Sequence, residues 1–312
     1  MSTRSLWHWA NAYKMSAAIF ALEEVGALAA MAAAPRSIEE LSWLDADALA
    51  PLLTMLLHAG LLSCEDGRYS LVGGSLLPLL AHERRVRSRF SQEVIVARLR
   101  GQGGSDPMDA PGAEARWPEY HAAMSVSARS IAPHVVRVTR LRRGEHVIDL
   151  GGADGALFAA LKHLVPGIRG TVVDRPSAAP HWRAVEDARF VGLDLRALDG
   201  DLLADADVVL LSNVLHLFNA ADRGVMMKKI LDHVRPGARA VVYDVFVSRG
   251  VADAGLFMVL DWMLCGHRFD LTAEQMASEL VSLGWSNPVT HIVPTLPGAF
   301  VSALKPASGA TP

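Results

Sequence analysis

The spacing of apolar residues changes character partway along the chain. Upstream of residue 141 it follows a helical period. From Trp7 to Ala34 the residues Trp9, Tyr13, Ala17, Phe20 and Glu24 fall at helical intervals, predicting one long apolar helix that needs a partner surface to cover it. Ser37 and Glu40 form the Ser-x-x-Glu signature of a capping box, and a second helix is expected from Asp47 to Ala59, stopped by Gly60. Residues 61–71 read as two short strands about an Asp66-Gly67 turn. Six glycines and prolines between Gly101 and Gly112 predict a loop, and Trp117 to Arg140 a long helix with Tyr120, Met124, Ser127 and Ile131 on one face.

Downstream, short apolar runs alternate with helical segments. The runs are His146–Leu150, Gly170–Asp174, Arg189–Leu193, Asp207–Ser212, Arg239–Val247, Val289–Val293 and Ala299–Leu304. Such alternation predicts an α/β fold with a doubly wound, Rossmann-like sheet of seven strands, the last two forming an antiparallel hairpin at its far edge. The helix, helix, hairpin order upstream is that of a winged helix. The expected division is a winged-helix dimerisation domain over residues 1–95, a linker loop and helix over 96–140, and a ligand-binding domain over 141–312.

Composition narrows the functional classes. Half the residues are apolar (51%), enough for a sizeable core, and the net charge of −3 gives no general field for nucleic acid. The second helix, where a winged helix would read DNA, has no Lys or Arg, so a DNA-binding regulator is the weaker alternative. Arg84, Arg85, Arg87 and Arg89 form a local basic cluster, read as a solvated helix face or a contact with a partner subunit. Cys64 and Cys265, far apart in sequence, are read as packing residues in a reducing compartment rather than a disulfide or a metal site. With no run of about 18 apolar residues, a cytoplasmic location is expected.

The chemistry is expected where strands end. Val147-Ile148-Asp149-Leu150 runs into Gly151-Gly152-Ala153-Asp154-Gly155 and then a helix, so backbone N–H groups face a crevice at the strand's carboxyl end. The spacing is not Gly-x-Gly-x-x-Gly, and the acid before the turn suits a ligand with a cationic end. Asp174, 25 residues beyond Asp149, ends the next strand, where a carboxylate can hold both hydroxyls of a ribose. Asp194 and Leu195 follow the third strand and suit an adenine amino group and ring. Together these describe S-adenosylmethionine, with Arg175 and Ser212 at neighbouring strand ends. His216 follows the fourth strand; an imidazole titrates near pH 6.5 and can take a proton from a substrate hydroxyl. Asp244 and Asp270 are the acids available to orient it.

These motifs, with Asn213-Val214-Leu215-His216, Arg235-Pro236-Gly237 and Leu260-Asp261-Trp262-Met263-Leu264, resemble those of the class I S-adenosylmethionine-dependent O-methyltransferases. The similarity is greatest to the group holding the plant caffeate and flavonoid enzymes and the bacterial polyketide, phenazine and antibiotic tailoring enzymes. The resemblance implies an intertwined homodimer built from the amino-terminal region, His216 as general base, and Asp244 and Asp270 as its acidic partners. Three departures stand out: Leu217-Phe218-Asn219 follows the histidine where the family commonly writes Asp-Trp, Ser212 stands where plant enzymes often carry Lys, and both acids are Asp rather than Glu. The expected reaction is O-methylation of a small aromatic or heteroaromatic natural-product intermediate in a pocket between the domains, drawing on Met124, Phe218, Phe257, Trp262 and Met263. N- or C-methylation, or a non-methylating use of the same cofactor, is the alternative.

Overall fold

The computed structural model describes residues 3–104, 112–247, 253–266 and 271–307. The chain forms two compact units, one of Met1–Ser88 with Ala122–Val126 and one of Arg89–His121 with Ser127–Pro312.

In the first unit, α1 (Thr3–Glu24) and α2 (Ala27–Ala33) replace the single long helix expected. The break falls at Gly26, which takes φ +78°, a left-handed conformation that terminates a helix and that glycine adopts without steric cost. Ser37 and Glu40 make both reciprocal hydrogen bonds of the capping box, at 3.3 and 3.0 Å, over a short 3₁₀ turn. Helix α3 (Ala46–His58) is capped by Asp45, whose carboxylate accepts the Ala48 N–H at 2.8 Å. Strands β1 (Leu62–Glu65) and β2 (Arg68–Leu71) pair antiparallel as expected. Their turn residues, Asp66 and Gly67, both have positive φ, the combination that matches the twist of a two-residue hairpin. The core of this unit gathers Leu22, Leu28, Met31, Leu41, Leu49, Leu53, Leu56 and Leu62. Of the basic cluster, Arg84 on α4 (Leu77–Val86) pairs with Glu23 and, at 3.5 Å, with Glu24, while Arg85 and Arg87 are exposed, the latter over the Phe20 ring at 5.8 Å. Cys64 is exposed, so it is not a packing residue; Cys265 is buried.

In the second unit, α5 (Gln92–Leu99) and α6 (Trp117–Thr139) precede the sheet. Its strands are β3 (His146–Leu150), β4 (Arg169–Asp174), β5 (Ala188–Gly192), β6 (Val208–Ser212), β7 (Arg239–Asp244), β8 (Ser286–Ile292) and β9 (Ala299–Leu304). The spatial order is β5-β4-β3-β6-β7-β9-β8, parallel from β5 to β7, with the inserted β9 running antiparallel to both its neighbours, β7 and the edge strand β8. Helices α7 (Ala156–Leu164), α8 (Ala220–His233), α9 (Asp253–Leu264) and α10 (Ala273–Ser282) complete the unit. Strands β3, β6 and β7 are buried along nearly all their length, which explains why they read as apolar runs rather than alternating patterns. Two acids interrupt those runs, Asp149 and Asp244, and both are buried. Strand β7 stops at Asp244, three residues short of the expectation. Because β4 and β6 leave β3 in opposite directions, the strand order reverses there, and the carboxyl ends of β3 and β6 open the crevice where such sheets bind ligands.

Candidate active site

The turn after β3 is built so that backbone, not side chain, faces the crevice. Gly151 and Gly155 have φ of +78° and +81°, and Ala153 is also left-handed at +49°. A Cβ on Gly151 would collide with the Val214 side chain, and one on Gly155 with the Trp182 ring. On Gly152 it would lie 2.6 Å from Asp149 Oδ2 and 2.8 Å from Val172 Cγ1. Asp154 fixes the turn to its surroundings: Oδ1 accepts the Ala156 N–H at 3.1 Å, and Oδ2 pairs with Arg183 at 2.9 Å.

Beneath the turn lies Asp149, whose two carboxylate oxygens are both buried and accept no hydrogen bond. Burial is the main cause that pushes its carboxyl up to about 7, and the nearby Asp174 charge adds to it. A carboxyl held this way awaits a cation or a donor. Asp174 is partly buried at the end of β4; its oxygens accept the Ala153 and Arg175 N–H groups at 2.8 and 2.7 Å, tying the β4 end to the glycine turn. One bond per oxygen leaves each with acceptor capacity for a ligand hydroxyl. The Arg175 side chain is exposed. Asp194 caps a short 3₁₀ turn through the Arg196 N–H at 2.9 Å, and Leu195 packs partly buried against the main core. Ser212 ends β6 opposite Tyr243 of β7. The next residue, Asn213, has φ +53° and a buried Oδ1 without a hydrogen bond, a feature no sequence signal marked.

His216 and Asp244 come together. The imidazole Nδ1 lies 3.2 and 3.4 Å from the two Asp244 oxygens, and the His216 N–H donates to Oδ2 at 3.3 Å. Asp244 is fully buried and also accepts the Val245 N–H at 3.0 Å. A carboxylate only accepts, so Nδ1 carries the proton and the lone pair of the neutral ring sits on Nε2. The indole of Trp262 stacks on the imidazole, centroids 3.9 Å apart and planes within 10°. The expectation for Asp270 falls outside the described residues. Of the expected acceptor-lining residues, Trp262 and Phe218 are buried, Met124 and Met263 half-buried, and Phe257 exposed. Arg89, from the basic cluster, pairs with Asp261 beside Trp262 at 3.0 Å.

A second aromatic group also went unread in the sequence. Trp117, His121 and His181 lie with ring centroids 4.8 to 6.1 Å apart. Burial lowers the titration of His121, against the pull of the Asp154 and Asp174 charges. Three residues from two distant segments give no local pattern by which to find them.

The second unit and the whole chain have known relatives. Human N-acetylserotonin methyltransferase, solved in complex with SAM, matches 98% of this chain and 100% of its own with a TM-score of 0.77 at 20% identity. At that identity the likeness establishes the fold. Among curated proteins, the mitomycin biosynthesis 6-O-methyltransferase of Streptomyces lavendulae is 32% identical over 45% of this chain and 42% of its own length. The tetracenomycin polyketide synthesis 8-O-methyl transferase of Streptomyces glaucescens is 32% identical over 36% and 34%. The aligned stretches thus span less than half of either relative. A model of the O-methyltransferase domain matches residues 110–265, half of the chain, and on that match the chain belongs to the O-methyltransferase domain family.

Proposed function

We propose that the protein is an S-adenosylmethionine-dependent O-methyltransferase acting on a small aromatic or heteroaromatic natural-product intermediate. The observation that carries this reading is the pairing of a buried His216–Asp244 dyad with a glycine turn above an uncompensated buried carboxylate, both at the carboxyl ends of adjacent strands. The residues fit the cofactor. Asp149 lacks a partner that an ammonium group would supply, Asp174 retains acceptor capacity for ribose hydroxyls, and Gly151, Gly152 and Gly155 keep the turn free of side chains. When bound, S-adenosylmethionine would supply an electrophilic methyl group, taken up by the acceptor oxygen with release of S-adenosylhomocysteine.

The chain's own contribution is proton handling and positioning. His216 Nε2 takes the proton of the acceptor hydroxyl, and Asp244 holds the ring by Nδ1–H and balances the imidazolium that forms. Proton abstraction of this kind is worth about 10² to 10⁴ in rate, and positioning of the two reactants supplies most of the remainder. We assign Asp194, Leu195, Ser212 and Arg175 to the cofactor's periphery, and Trp262, Met263, Phe218 and Phe257 to the acceptor side. The helix, helix, hairpin unit is assigned as a winged-helix module that joins two copies of the chain in a homodimer. Its α3 has no Lys or Arg, which speaks against DNA as its partner.

The test is formation of S-adenosylhomocysteine on adding a panel of phenols and hydroxylated heteroaromatics. Product that accumulates only with an acceptor present, and a methylated oxygen in that acceptor, meets the proposal. Cofactor binding with no such product from any acceptor refutes it.

A further inference from the structure

The contact between Trp262 and His216 does more than line a pocket. Rings with centroids 3.9 Å apart and planes within 10° stack the indole face on the imidazole, and both side chains are buried. The electron-rich face of an indole attracts a cation placed over it, and the attraction is greatest where water is excluded. The cation here is the imidazolium formed when His216 takes a proton. Neutral imidazole gains only ordinary stacking from the same surface.

We infer that Trp262 is a positioning residue that raises the basicity of His216, so that the ring is held by Asp244 at its Nδ1 edge and by the indole on its face. The inference deepens the O-methyltransferase reading and rests on it for the source of the proton, which moves from the acceptor hydroxyl to Nε2. Among the described residues, Asp261 and Arg196, the other charged groups on the segments named here, are engaged in pairs of their own. From β7 the group facing it is Asp244 itself. On α9, Asp261 is paired with Arg89 at 3.0 Å. Beyond the His216 turn, Arg196 lies over the Phe218 ring at 5.1 Å and 3.7 Å from Asp194. The device differs from a second carboxylate in one respect: an indole strengthens the base without adding a charge that would hold a metal or a stray cation.

The experiment compares Trp262→Phe and Trp262→Leu. Leucine keeps the apolar cover and removes the π face, so it separates the electrostatic contribution from desolvation. With the proton-accepting ring less favoured as a cation, the acid limb of the kcat/KM profile should move to lower pH by about 0.4 to 1.5 pH units in Trp262→Leu, and by less in Trp262→Phe. A titration of His216 by imidazole NMR in cofactor-free protein should move in the same direction and order, with no need for turnover. Calorimetric cofactor affinity within about threefold of the parent verifies that both variants are folded. If Trp262→Leu does not fold, Trp262→Phe alone decides by the direction of its shift. A midpoint that stays in place or rises in the variants overturns the inference. If the NMR midpoint falls as expected but no acceptor is methylated by the parent, the enzymatic reading fails and the stacking effect stands.

Discussion

Replacing Asp149 by asparagine exposes the tension built into the proposed cofactor site. In the folded chain its carboxyl is pushed up to about 7 from an ordinary 3.8, mainly by burial and secondly by Asp174. A carboxyl raised in this way binds its proton more tightly folded than unfolded. The fold therefore suffers nothing below pH ~3.8, where both states are protonated, and is progressively destabilised as pH rises from about 4 to about 7. At about 1.36 kcal/mol per pH unit, three units amount to roughly 4 kcal/mol above pH 7, of which about 2 to 3 kcal/mol develops between pH 5 and pH 8. Asp149→Asn is nearly isosteric with the protonated acid and carries no charge. Without cofactor it should be close to the parent in stability near pH 4 and more stable by up to about 4 kcal/mol at pH 8, a shift of about 1 M or more in a urea midpoint. The same substitution should weaken binding of S-adenosylmethionine at least tenfold at pH 8, because the ammonium loses its counter-charge. Urea unfolding from pH 5 to pH 8.5 reads the first effect and calorimetry the second. A parent–variant difference that does not grow with pH, or a variant that binds cofactor as well as the parent, would refute the assignment of Asp149 as an uncompensated ligand-facing charge.

His216→Ala should lower methyl transfer at least tenfold while cofactor affinity measured by calorimetry stays nearly the same; unchanged turnover removes the base from the mechanism. Gly152→Ala brings a methyl group within 2.6 Å of Asp149 Oδ2 and 2.8 Å of Val172, and is expected to cost about 1 to 3 kcal/mol of stability together with cofactor binding; thermal unfolding and an equilibrium binding assay check both. Asp45→Ala removes the cap of α3 and should cost about 1 kcal/mol in the first unit, seen as a lowered Tm with methyl transfer chemistry unaffected at low temperature.

Much of the sheet could be read from the chain because its central strands, β3, β6 and β7, are buried on both faces. His146–Leu150 and Ala299–Leu304 coincide with their expected limits, and the others shift by one to three residues at an end. The site could be read where chemistry is compressed into a few neighbours: a glycine turn behind an acid, and a histidine four residues past a strand end. It was illegible where contact joins distant segments. Nothing near Gly155 announces that Trp182 will sit against it, and nothing near His216 announces the indole that Trp262 brings from α9. The unbroken helix expected before Ala34 failed for a local reason: its periodicity passes through Gly26, and period alone does not register a left-handed glycine. The ion pairs of Arg84 and Arg89 were illegible because their acids, Glu23 and Asp261, lie far off in sequence.

The antiparallel insertion of β9 has a consequence for biosynthesis. In the sheet register Asp244 stands opposite Ala299, so the carboxylate that steadies His216 is flanked by a segment synthesised more than fifty residues after it. A nascent chain halted before Phe300 already contains Asp149, Gly151, Gly155 and Asp174, yet lacks the strand that lies beside β7. The wall of the sheet beside Asp244 is thus completed only by the last strand to be made, an order set by the direction of translation.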